Sequence, residues 1–460
     1  MTLIKSISGI RGTIGGKVDN GLTPIDAVKF AAAYGTWLSE NNSGKLKVVI
    51  GRDARISGQM ISDLVISTLV GLGIDVINLG LSTTPTVEVA VPLENAHGGI
   101  ILTASHNPKQ WNALKLLNEK GEFISGDEGK RVLEIADQEA FNFADVDDLG
   151  KVTQDDSYLE KHIQAILDLP LVDKKAIEDA NFSVVVDAVN STGGIFVPAL
   201  LEALGVKNIT KIYCEPTGDF PHNPEPLPEH LTDLSDKIIE VRADVGFTVD
   251  PDVDRLAMVC EDGSMFGEEY TLVAVADYIL THTPGATVSN LSSTRALRDV
   301  TEKRGLLYTA SAVGEVNVVA AMKKTKAVIG GEGNGGIIYP ELHYGRDSLV
   351  GIALFLSHLA HKKMSVSALR DSYPKYTISK NKIELTPEID VDLILKKMAE
   401  KYANEEVDIT DGVKIYIEKE WVHLRKSNTE PIIRIYSESE SEEKANQFAN
   451  RIIADIKSII

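Results

Sequence analysis

The chain has 460 residues, 43% of them hydrophobic and 25% charged, the make-up of a globular protein too long for one core. Lys plus Arg total 47 and Asp plus Glu total 67, a net charge of −20, which argues against nucleic-acid or anionic-membrane partners but not against a local basic pocket for a small anion. Cys214 and Cys260 give neither a disulfide framework nor zinc spacing, no run approaches a membrane span, and the first residues lack a signal-peptide core, so a reducing cytoplasm is the expected location.

In chain order, Ser8-Gly9-Ile10-Arg11-Gly12-Thr13 sets one arginine among glycines. Pro24 opens an amphipathic helix over 24–40. Lys47-Val48-Val49-Ile50 reads as a strand, 51–58 as a loop, 59–72 as a helix stopped by Gly73, and 75–77 as the next strand. That is a parallel strand–helix–strand unit. Gly98-Gly99-Ile100-Ile101-Leu102 then ends abruptly in Thr103-Ala104-Ser105-His106-Asn107-Pro108, a buried strand delivering a loop that Pro108 stiffens. Taken alone, Ser105 reads as a turn residue bonding its own backbone rather than as a catalytic serine.

The unit recurs from 183–187 through a helix ending at Leu204 to 209–212, and from 286–288 through a helix ending near Arg304 to 306–308. Three such units at domain-sized intervals predict three related α/β domains. From about Tyr373 the pattern changes to a strand, a helix over 391–402, strands at 413–417, 421–424 and 432–436, and a helix over 442–456. This predicts a small α+β domain with an antiparallel sheet. The expected domains are 1–150, 157–255, 256–368 and 373–460.

Asp250-Pro251-Asp252-Val253-Asp254-Arg255 offers carboxylates at i, i+2 and i+4, a donor set that suits Mg²⁺ better than zinc. A calcium EF-hand is rejected because its sixth position, where the turn needs glycine, is Arg255, and an apolar strand follows. Three carboxylates and one Mg²⁺ leave a negative charge, and a phosphoserine adds more, so the site needs further cations. Arg255 follows directly, and Lys115 lies ten residues after Ser105. Gly330-Gly331-Glu332-Gly333-Asn334-Gly335-Gly336 presents one carboxylate and one amide, which are hydroxyl-binding groups, and lacks the Lys-Ser/Thr of a P-loop. Arg425-Lys426-Ser427-Asn428-Thr429-Glu430-Pro431, with Arg434 beyond it, gathers forked cations and small donors in or beside a loop, an anion site in an acidic chain.

These four stretches together resemble the α-D-phosphohexomutases, the superfamily of phosphoglucomutases, phosphomannomutases and phosphoglucosamine mutases. The motifs at 103–108, 250–255, 331–336 and 425–431 occur in the family's order and span the chain. The resemblance implies three mixed-sheet α/β domains plus a TATA-binding-protein-like α+β domain around a central cleft. It implies that Ser105 carries the phosphoryl group, with His106 and Arg11 supporting it. Asp250, Asp252 and Asp254 would hold Mg²⁺ with an oxygen on Ser105. Lys115 would move a proton and Arg255 would contact the transferring phosphate. Glu332 and Asn334 would bind the sugar, and Arg425, Ser427, Asn428, Thr429 and Arg434 the distal phosphate. The implied partner is a small sugar phosphate, with a hexose or hexosamine 1,6-bisphosphate as intermediate and activator, acting on a monomer or homodimer.

The chain departs from the family pattern at several points. Asn334 and Gly336 stand where Ser and His are common, Ala113 replaces a glycine beside Lys115, and Pro251 and Val253 replace glycines in the metal loop. In Ala312-Val313-Gly314-Glu315-Val316-Asn317, Glu315 places an acid that suits a sugar ammonium, as in phosphoglucosamine mutases. Glucosamine 6-phosphate/1-phosphate interconversion is therefore expected, with glucose or mannose phosphates as the alternative substrates. A metal-dependent phosphatase would not need two phosphate grips, and a non-catalytic sugar-phosphate binder would not need both Ser105 and the aspartates.

Overall fold

The apolar runs at 48–50 and 98–102 become neighbouring parallel strands, fully buried, as continuous rather than alternating hydrophobic patterns demand. The computed structural model describes residues 2–6, 9–384, 389–426 and 432–459. They fall into two compact units, the first from Met1–Thr271 and Gly335–Ser367, the second from Leu272–Asn334 and Ala368–Ile460.

In the first unit, β1 (Ile4–Ser6), β2 (Gly9–Thr13), β3 (Lys47–Arg52), β4 (Asp75–Leu81), β5 (Gly98–Leu102), β6 (Trp111–Leu117) and β7 (Val152–Gln154) form one sheet in the order β1-β2-β6-β5-β3-β4-β7. Strands β3, β4, β5 and β7 run parallel, while β6 pairs antiparallel with both β5 and β2. The edge strand β7 carries this sheet just past the expected end at 150. Helix Pro24–Asn41 starts where proline predicts, behind a capping box of Thr23 and Asp26. Its Phe30, Tyr34 and Leu38 pack with Ile61, Val65 and Leu69 of helix Gly58–Gly71 over Val48, Ile50, Ile100 and Leu102. The Tyr34 hydroxyl donates to Leu117 O at 2.6 Å. A Cβ on Gly98 would stand 2.1 Å from that hydroxyl, so the strand needs glycine there. Register places Lys115 opposite Ile101 on the strand that leads to Ser105, and Arg11 opposite Ala113.

A second sheet of the same unit comprises β8 (Ser183–Asp187), β9 (Asn208–Ile212), β10 (Val245–Val249) and β11 (Leu256–Cys260), in the order β11-β10-β8-β9. Here the expected boundary at 255 is corrected. β11 pairs antiparallel with β10 from Val249↔Leu256 to Val245↔Cys260, so the second domain's sheet continues to Cys260 and the aspartate loop is a hairpin connection. Helix Ser348–Lys362, buried along nearly its whole length, packs against helices Tyr158–Leu167 and Lys174–Ala180 of this unit.

In the second unit, strands Tyr308–Ser311, Thr287–Asn290 and Ile329–Glu332 lie side by side and parallel. The strand expected at 306–308 begins only at Tyr308, after a largely exposed Leu307. Strands Thr377–Glu384, Glu406–Asp408, Val413–Ile417, Glu420–Lys426 and Ile432–Ser439 form an antiparallel sheet. Ile394 and Met398 of helix Val391–Lys401 and Phe448 and Ile452 of helix Glu442–Ile459 pack on its Val413, Val422, Leu424 and Ile433. No helix among the described residues is long and apolar enough to cross a membrane.

Candidate active site

Where β5 ends, Thr103 Oγ1 accepts from Ser105 N at 2.9 Å and donates to Asp53 Oδ2 at 2.6 Å. Ser105 is held in the left-handed region with φ of 50°, a conformation that costs about 1 kcal/mol or more and persists only where the surroundings fix it. Much of that fixing comes from Arg55, which no sequence motif singles out. Its Nη2 donates to Ser105 O and Asn107 O at 2.5 and 2.6 Å, and its Nη1 to Pro108 O and Trp111 O at 2.8 and 3.0 Å. Its Nε donates to Asp53 Oδ2 at 3.0 Å, both side chains being fully buried. Burial raises the Asp53 carboxyl, with Arg55 opposing.

Ser105 Oγ donates to Asp250 Oδ2 at 2.7 Å and stands 3.4 Å from His106 Nδ1. Arg11 Nη1 reaches Asn107 Oδ1 at 3.5 Å. Burial, and then Arg255, lower His106 well below the usual imidazole range, so the ring is neutral; the same two causes lower Arg11.

The aspartate hairpin is closed by Asp250 Oδ1, which accepts from Asp254 N and Arg255 N at 3.1 Å each. Pro251 O accepts from Ser191 Oγ and Thr192 Oγ1, and Asp252 O from Thr84 N. Val253 sits at φ of 65°, an outlier for a β-branched residue. Asp250, Asp252 and Asp254 are fully buried, with one oxygen of each within 4.8 Å of the others. Lys115 Nζ lies 2.6 Å from Asp252 Oδ2 and 3.3 Å from Asp254 Oδ2, and Thr84 Oγ1 donates to Asp252 Oδ2 at 2.5 Å. Arg346, a second cation that sequence motifs miss, donates from Nη2 to Asp254 Oδ2 at 2.8 Å; Arg255 Nε is 3.9 Å from Asp254 Oδ1.

Burial, with Asp254 and Asp252 adding to it, pushes the Asp250 carboxyl well above the usual range. Burial acts the same way on Asp254, but Arg346, Lys115 and Arg255 overcome it and hold that carboxyl low. For Lys115, burial disfavours the ammonium, and Asp252 and Asp254 outweigh burial, so the pKa rises. Lys115 is thus a firm ammonium in this arrangement. The remaining oxygens, Asp252 Oδ1 and Asp254 Oδ1, are buried without a hydrogen-bond partner. Two orphaned oxygens in an all-carboxylate cluster fit a hard divalent cation.

In the second unit, Glu332 Oε1 accepts from Asn290 Nδ2 at 2.8 Å and from Gly314 N at 3.0 Å. The second bond ties Glu332 to the residue before Glu315, the buried first residue of helix Glu315–Thr325. Gly333 N donates to Ser293 Oγ, and Asn334 follows, half-buried. Asp411 Oδ2 accepts from Val313 N at 2.9 Å and lies 3.6 Å from Arg425 Nη1, joining the Glu315 turn to the basic strand. Arg425 is directly opposite Arg434, and Arg434 opposite Lys382, one row of cations across three strands. Like charges so placed repel unless an anion offsets them. Ser427, Asn428 and Thr429 lie outside the described residues.

Four family models match consecutive stretches. Phosphoglucomutase/phosphomannomutase alpha/beta/alpha domain I covers residues 3–143, domain II 156–263, domain III 267–376, and the C-terminal domain 383–455. The chain belongs to the phosphoglucomutase/phosphomannomutase family. This phosphohexomutase is therefore an isomerase with the family's four mixed α/β domains. A phosphoglucomutase/phosphomannomutase of Thermococcus kodakarensis is 36% identical over 443 residues, 95% of this chain and 96% of the relative. A phosphoglucosamine/phosphogalactosamine mutase of Sulfurisphaera tokodaii is 30% identical over 456 residues, 96% and 97% of the two chains. The crystal structure of a phosphoglucomutase/phosphomannomutase family protein from Burkholderia thailandensis matches with a TM-score of 0.85 and 26% identity, covering 100% of this phosphohexomutase and 98% of that chain.

Proposed function

We propose that this phosphohexomutase interconverts glucosamine 6-phosphate and glucosamine 1-phosphate through phospho-Ser105 and a glucosamine 1,6-bisphosphate. The observation that carries the choice of sugar is the bond from Gly314 N to Glu332 Oε1, which joins the end of strand Ile329–Glu332 to the start of the helix that Glu315 opens, two buried carboxylates that suit a 2-ammonium group. The Sulfurisphaera relative, named for hexosamine phosphates, supports the same choice. The Thermococcus relative favours the alternative, glucose and mannose phosphates.

Asp250, Asp252 and Asp254 are the residues to hold Mg²⁺, which when bound supplies charge neutralisation at the transferring phosphoryl group. Three carboxylates and a phosphoserine dianion would then be matched by one divalent cation with Lys115, Arg255 and Arg346. The P–O bond to Ser105 Oγ breaks as a bond from phosphorus to the sugar O6 forms. Lys115, held on Asp252 and Asp254, is the group to pass the proton that leaves O6 on to Ser105 Oγ. The bisphosphate turns over and returns its other phosphate to Ser105. Arg425 and Arg434 grip whichever phosphate is not reacting, and Ser427, Asn428 and Thr429 are the small donors proposed to act with them.

Side-by-side kinetics on the 1-phosphates of glucosamine, glucose and mannose, with a bisphosphate activator, tests the substrate. Glucosamine 1-phosphate should show the highest kcat/KM, and Glu315→Gln should raise its KM more than that of glucose 1-phosphate. A glucose or mannose substrate that is turned over faster would overturn the glucosamine assignment. Intact-mass analysis should find one phosphoryl group that Ser105→Ala removes; a variant retaining full mutase activity would sink the phosphoserine itself.

A further inference from the structure

Helix Thr84–Leu93, helix Tyr158–Leu167 and the turn 343–347 meet in the first unit around four ionisable side chains that the phosphoryl-transfer site does not use. The side chains of His162, Asp347 and Glu88 are fully buried and that of His343 is 9% exposed. His162 Nε2 lies 3.0 Å from Asp347 Oδ2, and His343 Nε2 lies 3.3 Å from the same oxygen. One donor atom from each of His162, His343 and Asp347 falls within 4.8 Å of the other two.

All three are oriented from behind. Thr86 Oγ1 is 2.9 Å from His162 Nδ1. Glu88 Oε2 is 3.4 Å from His343 Nδ1, a buried nitrogen with no hydrogen bond of its own. The second oxygen of Asp347 caps helix Ser348–Lys362, accepting from Leu349 N at 2.8 Å. Gly345 makes room for the carboxylate, since a Cβ there would stand 1.8 Å from Glu88 Oε2. Imidazoles backed by a hydroxyl and a carboxylate, with their other nitrogens aimed at one oxygen, are the arrangement that metal-binding histidines adopt.

Two nitrogen donors select a zinc-like ion over magnesium. We propose that His162, His343 and Asp347 form a second divalent-metal site, taking Zn²⁺ or a similar nitrogen-seeking ion, with Glu88 and Thr86 orienting the two imidazoles. Binding displaces any proton on the Nε2 atoms, so uptake releases protons to solvent. The ion would tie three segments far apart in sequence and fix the turn whose Arg346 reaches Asp254.

The full chain, stripped with chelator and returned to saturating Mg²⁺ to fill the aspartate triad, is titrated with Co²⁺ as a visible probe. We expect one equivalent to bind, with the strong absorption of a low-coordinate, nitrogen-ligated ion. His343→Gln should abolish that signal, Thr86→Val should weaken binding about 10–100-fold, and Asp252→Asn should leave it in place. The proposal is overturned if the wild-type chain takes up no Co²⁺ under these conditions, or if the signal follows Asp252→Asn instead of His343→Gln. The four side chains would then be a protonated ion-pair network. Thr86→Val removes no charge, so it keeps the test sharp if His343→Gln does not fold.

Discussion

Arg55 engages all five of its N–H donors, one on Asp53 and four on main-chain oxygens from Ser105 to Trp111. A lysine has three donors on a flexible stem and cannot reproduce that planar set. Arg55→Lys should therefore lower kcat by about 100-fold with little change in KM, because the loop loses position rather than substrate contacts. Steady-state kinetics checks this, and a KM effect alone would contradict it. Arg55→Ala leaves a buried carboxylate without its cation and should cost about 3–5 kcal/mol in urea unfolding. The aspartate triad is legible in sequence because its i, i+2, i+4 spacing itself carries the chemistry, and Ser105 only in the company of the other motifs. Arg55 is not, since Asp-x-Arg after a strand reads the same whether the arginine is solvated or encloses four carbonyls. Arg346 is missed for a similar reason, lying 92 positions from the Asp254 it contacts.

At the scale of elements, the hairpin β10–β11 shows what a local pattern conceals. The acidic loop looks like a domain boundary because its polarity interrupts an apolar run, yet both flanks belong to one sheet. The strand Glu420–Lys426 carries a pH-sensitive element. His423 is buried, with Nε2 2.6 Å from Asp411 O and Nδ1 2.9 Å from Ser292 Oγ. Burial lowers its pKa from 6.5 to about 4. Between those values the unfolded chain holds the proton and the folded chain does not. Stability is therefore intact above about 6.5 and is lost as the pH falls toward 4, by about 3 kcal/mol in total. Urea titrations followed by the fluorescence of Trp421, on the same strand, should show this slope, and His423→Gln should flatten it. At the other end of the chain, Thr23→Ala removes one half of a capping box and should destabilise helix Pro24–Asn41 by about 1 kcal/mol in the same assay.

For the whole molecule, the sequence organisation is four domains in order, and the packing is two units. The segment Gly335–Ser367 joins the first unit although it follows 63 residues of the second, 272–334. No composition shift marks that return; helix Ser348–Lys362 is buried from Ser348 to Ala360, Ser357 and His358 included, because it is enclosed, a property that only the finished packing reveals. The aspartate triad lies wholly in the first unit. Mg²⁺ at 100 times its dissociation constant should stabilise that unit by about 2.7 kcal/mol. Calorimetry of the chelator-stripped chain with and without added Mg²⁺ should move the transition of the first unit and leave that of the second in place, and Asp252→Asn should erase the shift. Equal movement of both transitions would contradict a site confined to the first unit.

Arg55 and Thr103 hold the loop at 105 by its main chain, not by its hydroxyl. The socket keeps its shape whatever Oγ carries. In the proposed cycle Ser105 alternates between an alcohol and a phosphate dianion, which changes the local charge by about two each time. With the backbone clamped independently, that change is not spread into a conformational one. The two chemical states of the enzyme then differ in field rather than in form, and the substrate meets the same geometry with the sign of its attraction reset.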